Sequence, residues 1–415
     1  MANGFFKKPV TRKQAVKLAG AGIAALALGP EAVFGGENNM DDSRKIRIGV
    51  VGGGFGTDFQ WSEHPGCIVE AVSDLLPVRR QILQDVYKCP KAYNSLEELI
   101  LDPKVEAVAV FTGAPDHVRH SVAAMRHGKH VISAVPAAIT LEQAEELLAV
   151  KEETGLTYMM AETSYYQQAA ISARKFWNEG KFGNLVFCRA MYHHPGLETL
   201  WFNADGSPTW RHSYPPMLYP THSTAFLVGI TGDRLTEVSC IGWGDGADIM
   251  KNNQYHNPFW SEAAFFETDR GGSFEMEVFW KAAVGGCERA EWYGDQMSFY
   301  MAHPNGLGPI IRRASEQVEK DDAGFERTLA TYEAYQQPLW WQTDMLPEPL
   351  RHDSGHDGSH TFLTHEFVSA LLEERAPTVD IYEALSYTVP GIVAHESAMK
   401  QGEHLRIPVY HRPKA

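Results

Sequence analysis

The chain has 415 residues, 44% hydrophobic and 21% charged, enough apolar material for a core and more length than one ordinary domain, so two domains are expected. Asp and Glu total 52 against 37 Lys and Arg, and a net charge of -15 speaks against nucleic acid and anionic membrane surfaces as partners. Five scattered cysteines without a CxxC pair do not make a disulfide framework and are expected as buried thiols.

Residues 1–36 have a basic start, a short apolar run from Leu18 to Leu28 and small residues after it. The run is too short to span a bilayer and reads as an export signal. Thr11-Arg12-Lys13-Gln14-Ala15-Val16-Lys17 resembles the twin-arginine motif, with Lys13 where the second arginine would stand. The expectation is a periplasmic protein exported folded, with no membrane span once the signal is gone.

From Lys45 the pattern alternates. Apolar runs at 46–52, 68–74, 107–112, 130–135 and 157–162 read as strands, and PVRRQILQDVY, SLEELI, HVRHSVAAMRHG and TLEQAEELLAVKEETG between them as helices. Thr140 and Gln143 have capping-box spacing, and Gly155 marks the helix end. Continuous apolar strands alternating with helices predict a doubly wound parallel sheet of Rossmann type over 44–166. After Gln167 one more helix, QQAAISARKFWNEG, leads into long strands: LVFCRAMYHH, LTEVSCIGWG and AAFFETDRGGSFEMEVFW, with a hairpin at 269–272. Residues 167–415 are therefore expected as an α/β domain with a large open, mostly antiparallel sheet. Glu275 and Glu277 alternate with apolar neighbours and predict a wet sheet face. FLTHEFVSALLEE and IYEALSYTVPGIVAHESAMK close the chain as helices, the second bent at Pro390. An open sheet of that size calls for a second subunit, so a homo-oligomer is expected.

GVVGGGFGTDF follows the first strand. Gly52 and Gly54 take the first two places of a GxGxxG fingerprint, Phe55 and Gly56 follow, and Thr57 stands at the third. Such glycines allow a tight turn and close approach of backbone to a pyrophosphate, with a helix expected behind them. Asp74, about twenty residues on, is placed for the ribose hydroxyls. That favours NAD over NADP, whose extra phosphate Asp74 would repel; Arg79 keeps NADP open. The strand end at Ala134-Val135-Pro136 offers no acid, base or metal ligand where an open α/β sheet usually places its chemistry.

With the fingerprint, the FTGAPDHVRH segment and the strand-Pro element at 130–136, the chain resembles the Gfo/Idh/MocA family of NAD(P)-dependent sugar oxidoreductases. The resemblance implies that Thr112, Pro115, His117, Val135 and Pro136 line the nicotinamide pocket. The usual member has Glu-Lys-Pro where this chain has Ala134-Val135-Pro136, and so a lysine that assists alcohol oxidation. The branch of NAD-dependent α-N-acetylgalactosaminidases also lacks it. Like that branch, this chain has VPAAITLEQ, then Met159-Met160-Ala161-Glu162, then Tyr192-His193-His194, and Trp210-Arg211 ahead of Tyr219-Pro220-Thr221-His222. By this resemblance Glu162 belongs to the cofactor site and Tyr219 to the substrate site. The implied reaction removes hydride from C3 of a sugar, takes the C2 proton, releases the aglycone at C1, adds water and returns the hydride. It needs no carboxylate pair.

Within that reading His222 is the base for the C3 hydroxyl. Tyr192 takes the C2 proton, its phenol lowered by Arg211 or His193; His193 has the alternative of orienting substrate. His352, His356 and His360 recur every four residues, but the glycines and aspartates between them predict a loop, so no metal site is assigned and His360 is expected at substrate. Trp201, Trp210, Trp260 and Trp340-Trp341 are expected mainly in the core or at an interface, with stacking on sugar as the alternative. The sequence leaves open net dehydrogenation, a redox-neutral glycosidase cycle, and a non-catalytic sugar-binding or sensor protein on the same scaffold. It names a small carbohydrate or glycoside as ligand, not which one.

Overall fold

Six short apolar strands open the described part of the chain: β1 Ile46–Val51, β2 Cys67–Ser73, β3 Ala92–Tyr93, β4 Ala107–Val110, β5 His130–Ser133 and β6 Tyr158–Met160. They pair in parallel in the order β3-β2-β1-β4-β5-β6. This is the doubly wound arrangement, whose strand order reverses between β1 and β4 and leaves a crevice at their carboxyl ends. The computed structural model describes residues 44–412 except 284, 315–317 and 329–330. The expected export signal lies outside the described residues.

Helices Pro77–Tyr87, Leu96–Leu99, His117–Arg126 and Leu141–Thr154 cover this sheet. The last shows how local sequence sets its ends. Thr140 Oγ1 accepts the Gln143 amide at 3.2 Å, and the Gln143 side chain reaches back to the Ile139 amide at 3.0 Å. Gly155, at φ 66°, closes it in a left-handed turn that disfavours a side chain.

The second sheet has nine strands: β7 Leu185–His193, β8 Leu235–Trp243, β9 Ser261–Thr268, β10 Ser273–Phe279, β11 Cys287–Gly294, β12 Met297–Tyr300, β13 Ile310–Arg313, β16 Thr331–Ala334 and β17 Leu405–Arg406. A separate small hairpin is formed by β14 Val318–Lys320 and β15 Glu326–Thr328. The order β16-β13-β12-β11-β7-β10-β9-β8-β17 is antiparallel except where β10 runs parallel to β7. The hairpin expected at 269–272 joins β9 to β10, with the Thr268 amide on Gly272 O at 3.0 Å.

The sheet's inner face packs on helices Thr221–Thr231 and Ile381–Met399, and helix Gln168–Asn178 reaches it through Phe176 against Phe299; helix Gly355–Leu372 packs on β1 and on the 3-10 turn Thr163–Tyr166 instead, and Ile381–Met399 closes the described helices. The last is one continuous helix through Pro390, capped by Asp380, and the Cβ of any residue but glycine at 391 would fall 2.1 Å from Met217 O. It also reaches the first sheet, where Thr388 Oγ1 accepts the Ala137 amide at 3.2 Å. The segment 352–360 is a loop, as expected, only to Gly358. His356, Asp357 and Gly358 have φ 52°, 58° and 81°, and the right-handed helix begins after them.

The outer face is not simply wet. Ile241, Phe265 and Trp243 are 63%, 59% and 52% exposed there. Glu275 is instead buried against Arg189 at 2.7 Å, and Glu277 holds His193 at 3.0 Å. All five cysteines are free, four of them buried.

Candidate functional site

The glycine-rich turn departs from expectation in one respect. No α-helix follows it; the chain makes only the short 3-10 turn Phe55–Thr57 and crosses in loops to β2. The segment FGTDFQWSEHPG lacks a helical apolar period, and aromatic packing holds it instead. Tyr87 donates to Gly56 O and, at 3.0 Å, to Phe59 O. Phe59 stacks on Phe111 and His360 with ring centroids 4.4 and 4.9 Å apart.

The turn fits a dinucleotide by its shape. Gly52, at φ 102°, would bring a Cβ within 2.1 Å of Phe111 O, and at Gly53 a Cβ would meet Arg79 O at 2.5 Å. A Cβ on Gly54 would meet nothing within 4 Å, so backbone is open to an anion there. Asp74 braces the turn by accepting the Gly53 amide at 2.7 Å and the Leu76 amide at 2.7 Å. It sits just past the end of β2, beside the turn. Arg79 is exposed with its carbonyl against Gly53, and it is Arg80 whose Nη1 donates to Asp74 O at 2.8 Å.

From this turn a cavity of about 220 Å³ runs between the two sheets' elements. Phe55, Thr112, Ala114, His117 and Val135 form one wall. Tyr192, His194, Arg211, Tyr219, His222 and Trp280 form the other. The two walls join the uncharged strand end to the aromatic and basic residues of the second sheet. Four expected positions leave the cavity wall to another residue. Ala114 rather than Pro115 faces the cavity, because Pro115 opens the 3-10 turn Ala114–Asp116. Pro136 lies behind Val135, and its carbonyl lies 2.8 Å from His117 Nδ1 while His117 Nε2 lies 3.0 Å from Thr112 O. His117 thus ties the two strand ends together as well as lining the wall.

His193 is the third. Along β7 side chains alternate, so Tyr192 and His194 share the cavity face and His193 takes the outer one. There it stacks on Phe279 with centroids 4.5 Å apart and meets Glu277 at 3.0 Å and Cys287 Sγ at 3.3 Å. Burial lowers its imidazole, but Cys287 and Glu277 outweigh that and raise it to about 9. The fourth is His360, which packs under the glycine-rich turn with Nδ1 3.0 Å from Asp58 O. His356, hydrogen-bonded to it at 2.8 Å, is the one that lines the cavity. His352 turns away to Glu63 at 2.7 Å, so the three histidines do not converge.

Glu162 is also reassigned. It is fully buried, off the cavity wall, with Oε1 3.0 Å from His222 Nδ1 and 2.8 Å from the Ser164 amide. Thr163 lines the cavity in its place. Glu288, on β11 opposite Tyr192, lies 3.6 Å from the same Nδ1. Burial pushes the His222 imidazole down, but Glu162 first and Glu288 second outweigh it and hold it at about 10. Burial raises the Glu162 carboxyl, and the His222 charge with its hydrogen bond brings it below the ordinary value.

Tyr192 does not behave as the sequence predicted. Burial, then Tyr219 and Glu288, raise its phenol well above the ordinary value, and Arg211 opposes them only in part. His193 is on the wrong face to help. Tyr219 stacks parallel to Tyr192 at 5.8 Å, and His222 lies 4.6 Å from it. The Arg211 guanidinium rests on the Trp210 ring at 4.2 Å. Trp201 and Trp260 stack in the core at 4.9 Å, as expected.

Sequence reasoning did not single out Glu288 or Trp280, and it named His356 only within the histidine run, with His360 as the one expected at substrate. The alternation along β7 was the signal for His194. Nothing local marks Glu288, since its role comes from a pairing between β11 and β7.

Comparison with known proteins agrees with this geometry. Residues 46–162 match the model of the oxidoreductase family with NAD-binding Rossmann fold, Gfo/Idh/MocA, and residues 310–414 match the glycosyl hydrolase 109 C-terminal domain. A glycosyl hydrolase family 109 protein of Solibacter usitatus is 26% identical over 97% of this chain and 98% of its own. One of Saccharopolyspora erythraea is 22% identical over 99% and 95%. Among solved structures, a levoglucosan dehydrogenase in complex with NADH and levoglucosan superposes with a TM-score of 0.70 at 16% identity, over 88% of this chain and all of that one. A scyllo-inositol dehydrogenase from Lactobacillus casei superposes at 0.64 and 15%, over 88% and 98%. By these matches the chain pairs an NAD-binding Rossmann domain of the Gfo/Idh/MocA oxidoreductase type with a C-terminal domain of the glycosyl hydrolase 109 type.

Proposed function

We propose that the protein oxidises the C3 hydroxyl of a sugar or glycoside and uses that oxidation within a redox-neutral glycosidase cycle. The observation that carries the reading is the buried Glu162–His222 pair, which opens onto the same cavity as the uncharged Val135 strand end. NAD, held by the Gly52–Gly54 turn and Asp74, supplies hydride exchange at the sugar carbon when bound.

His222 is the group for the C3 hydroxyl proton. Its Nδ1 is engaged by Glu162, which leaves Nε2 for the cavity. Glu162 fixes the ring and, by holding it at about 10, keeps it an imidazolium at neutral pH, so His222 takes the hydroxyl proton only after releasing its own and the reaction should quicken as pH rises toward 10. We assign the C2 proton to Tyr192. That role asks for positive charge to offset burial, and Arg211 already acts in that direction. Trp210, Tyr219 and Trp280 give the sugar ring apolar faces to rest on. Export to the periplasm favours a cofactor that is held and recycled. A second copy of the chain covers the outer face around Ile241, Phe265 and Trp243.

Aryl glycosides incubated with the protein in deuterated water test this. Release of the aglycone with deuterium at C2 is the expected result. Stoichiometric NADH absorbance without release means plain dehydrogenation. Bound NAD that no sugar reduces, with sugar binding intact, means a sensor and sinks the proposal.

A further inference from the structure

The cavity is rich in groups that give a hydrogen bond and short of side chains that only take one. Among the described residues, no aspartate, glutamate, asparagine or glutamine is on its wall. Arg211 offers its guanidinium N–H groups, and His222, kept an imidazolium, offers Nε2–H. A sugar hydroxyl bound among them needs an acceptor for its own proton. His356 lines the same cavity, and its neighbours behind the wall settle which of its nitrogens carries hydrogen.

Asp58 O can only accept, so His360 Nδ1, 3.0 Å away, holds a hydrogen. His360 is 1% exposed, and burial lowers its imidazole against the opposing pull of Asp58, so the ring is neutral and its Nε2 is a bare lone pair. His356 Nδ1 lies 2.8 Å from that Nε2 and must donate to it. The protein crowded round His356, then His222 and His360, lower its imidazole to about 4, with Glu162 opposing and His194 adding. At neutral pH this ring too is neutral, and with Nδ1 protonated its Nε2 is bare. The pair is clamped. Phe59 stacks on His360 with centroids 4.9 Å apart, Phe55 meets both rings edge-on at 5.5 and 6.0 Å, and any Cβ at Gly355 would fall 2.4 Å from His360 Cε1. His356 sits at φ 52°, in the left-handed region, where a residue other than glycine persists only if its surroundings fix it.

We propose that His356 is a specificity-determining residue whose Nε2 is a fixed acceptor for one hydroxyl of the bound sugar. The inference rests on the reading that the cavity takes a sugar. No bond is made or broken: the hydroxyl donates to Nε2, which leaves its oxygen free to accept from another wall group. A ligand with an ether, a ketone or a bare C–H in that place leaves the lone pair unpaired and is bound less tightly.

The test reads tautomers by long-range 15N–1H correlation NMR at pH 7 in the NAD-loaded full chain, and binding by calorimetry. The probes are a methyl hexopyranoside in both anomers and its monodeoxy analogues, one per ring position. Both His356 and His360 are expected as the Nδ1–H form, the minor one for histidine in water. In wild type one deoxy position is expected to bind about tenfold more weakly than the parent, and H356F to bring that ratio within about twofold of unity while the other ratios keep their values. H360F, which takes away the acceptor behind Nδ1, is expected to return His356 toward the Nε2–H form. His356 found as Nε2–H or as an imidazolium in wild type overturns the proposal, as does a deoxy ratio that H356F leaves unchanged. If H356F does not fold, the wild-type tautomer and H360F decide: a His356 that keeps Nδ1–H in H360F is not fixed by His360 and overturns it. A protein that binds none of these glycosides yet shows both Nδ1–H forms defeats the sugar reading and supports the fixed acceptor. Glycoside binding with an Nε2–H His356 defeats the proposal alone.

Discussion

Replacing His222 with Gln strands a carboxylate. Glu162 has no exposure, and its Oε1 lies 3.0 Å from His222 Nδ1. At an effective dielectric of about 20 that separation is worth about 5 kcal/mol, and removing one partner of a buried pair costs about 3–5 kcal/mol. A glutamine amide still donates one hydrogen bond, so we expect H222Q to lose about 3 kcal/mol at pH 7. The pH dependence carries the sharper signature. His222 is raised in the folded state to about 10 from 6.5, so its contribution is complete below the ordinary value and is lost as pH rises toward 10. Glu162 is lowered from 4.5, so its contribution is present above that value and is lost on acidification. Wild type therefore weakens between pH 7 and 10, by up to about 4–5 kcal/mol, while H222Q does not. Without His222 burial raises the Glu162 carboxyl above its ordinary value, so the H222Q deficit shrinks as pH falls from neutral toward the ordinary carboxylate range and the lone carboxyl protonates. Urea unfolding followed by tryptophan fluorescence at several pH values reads both. An H222Q protein within about 1 kcal/mol of wild type at pH 7, or one sharing the wild-type alkaline slope, would refute the buried ion pair.

D74A removes the brace on the Gly53 amide as well as a ribose partner, and NAD affinity measured by calorimetry should fall about 10–100-fold. H194A should raise the KM for sugar, whereas H193A, altered on the outer face, should leave it unchanged in steady-state assays. G391A places a methyl 2.1 Å from Met217 O and should lower the melting temperature by several degrees in calorimetry. On the proposed covering of the outer face by a second copy, F265E should give smaller species than wild type in light scattering after gel filtration, and equal masses would refute that covering.

The sequence by itself determined the parts whose physics is local. Apolar runs of strand length, the Thr140–Gln143 cap with Gly155, the glycines at 52 and 54 with Asp74 beyond them, and the hairpin at 269–272 all state their geometry within a few residues. The cavity wall from Thr112 to Val135 was named through the resemblance to Gfo/Idh/MocA proteins, and these residues come together because strand ends in a parallel sheet meet at one edge. Only tertiary structure decided which member of each pair faces the site. The twist and start of β7 put His194 inward and His193 outward, the left-handed turn at 356–358 put His356 on the cavity and His360 beneath the cofactor turn, and aromatic packing replaced the expected helix after Gly56. The charge states were the least visible of all. Glu162, His222 and Glu288 are distant in sequence, and what each does depends on desolvation and on a few ångströms of separation, quantities that exist only once β6, the Thr221–Thr231 helix and β11 are packed together.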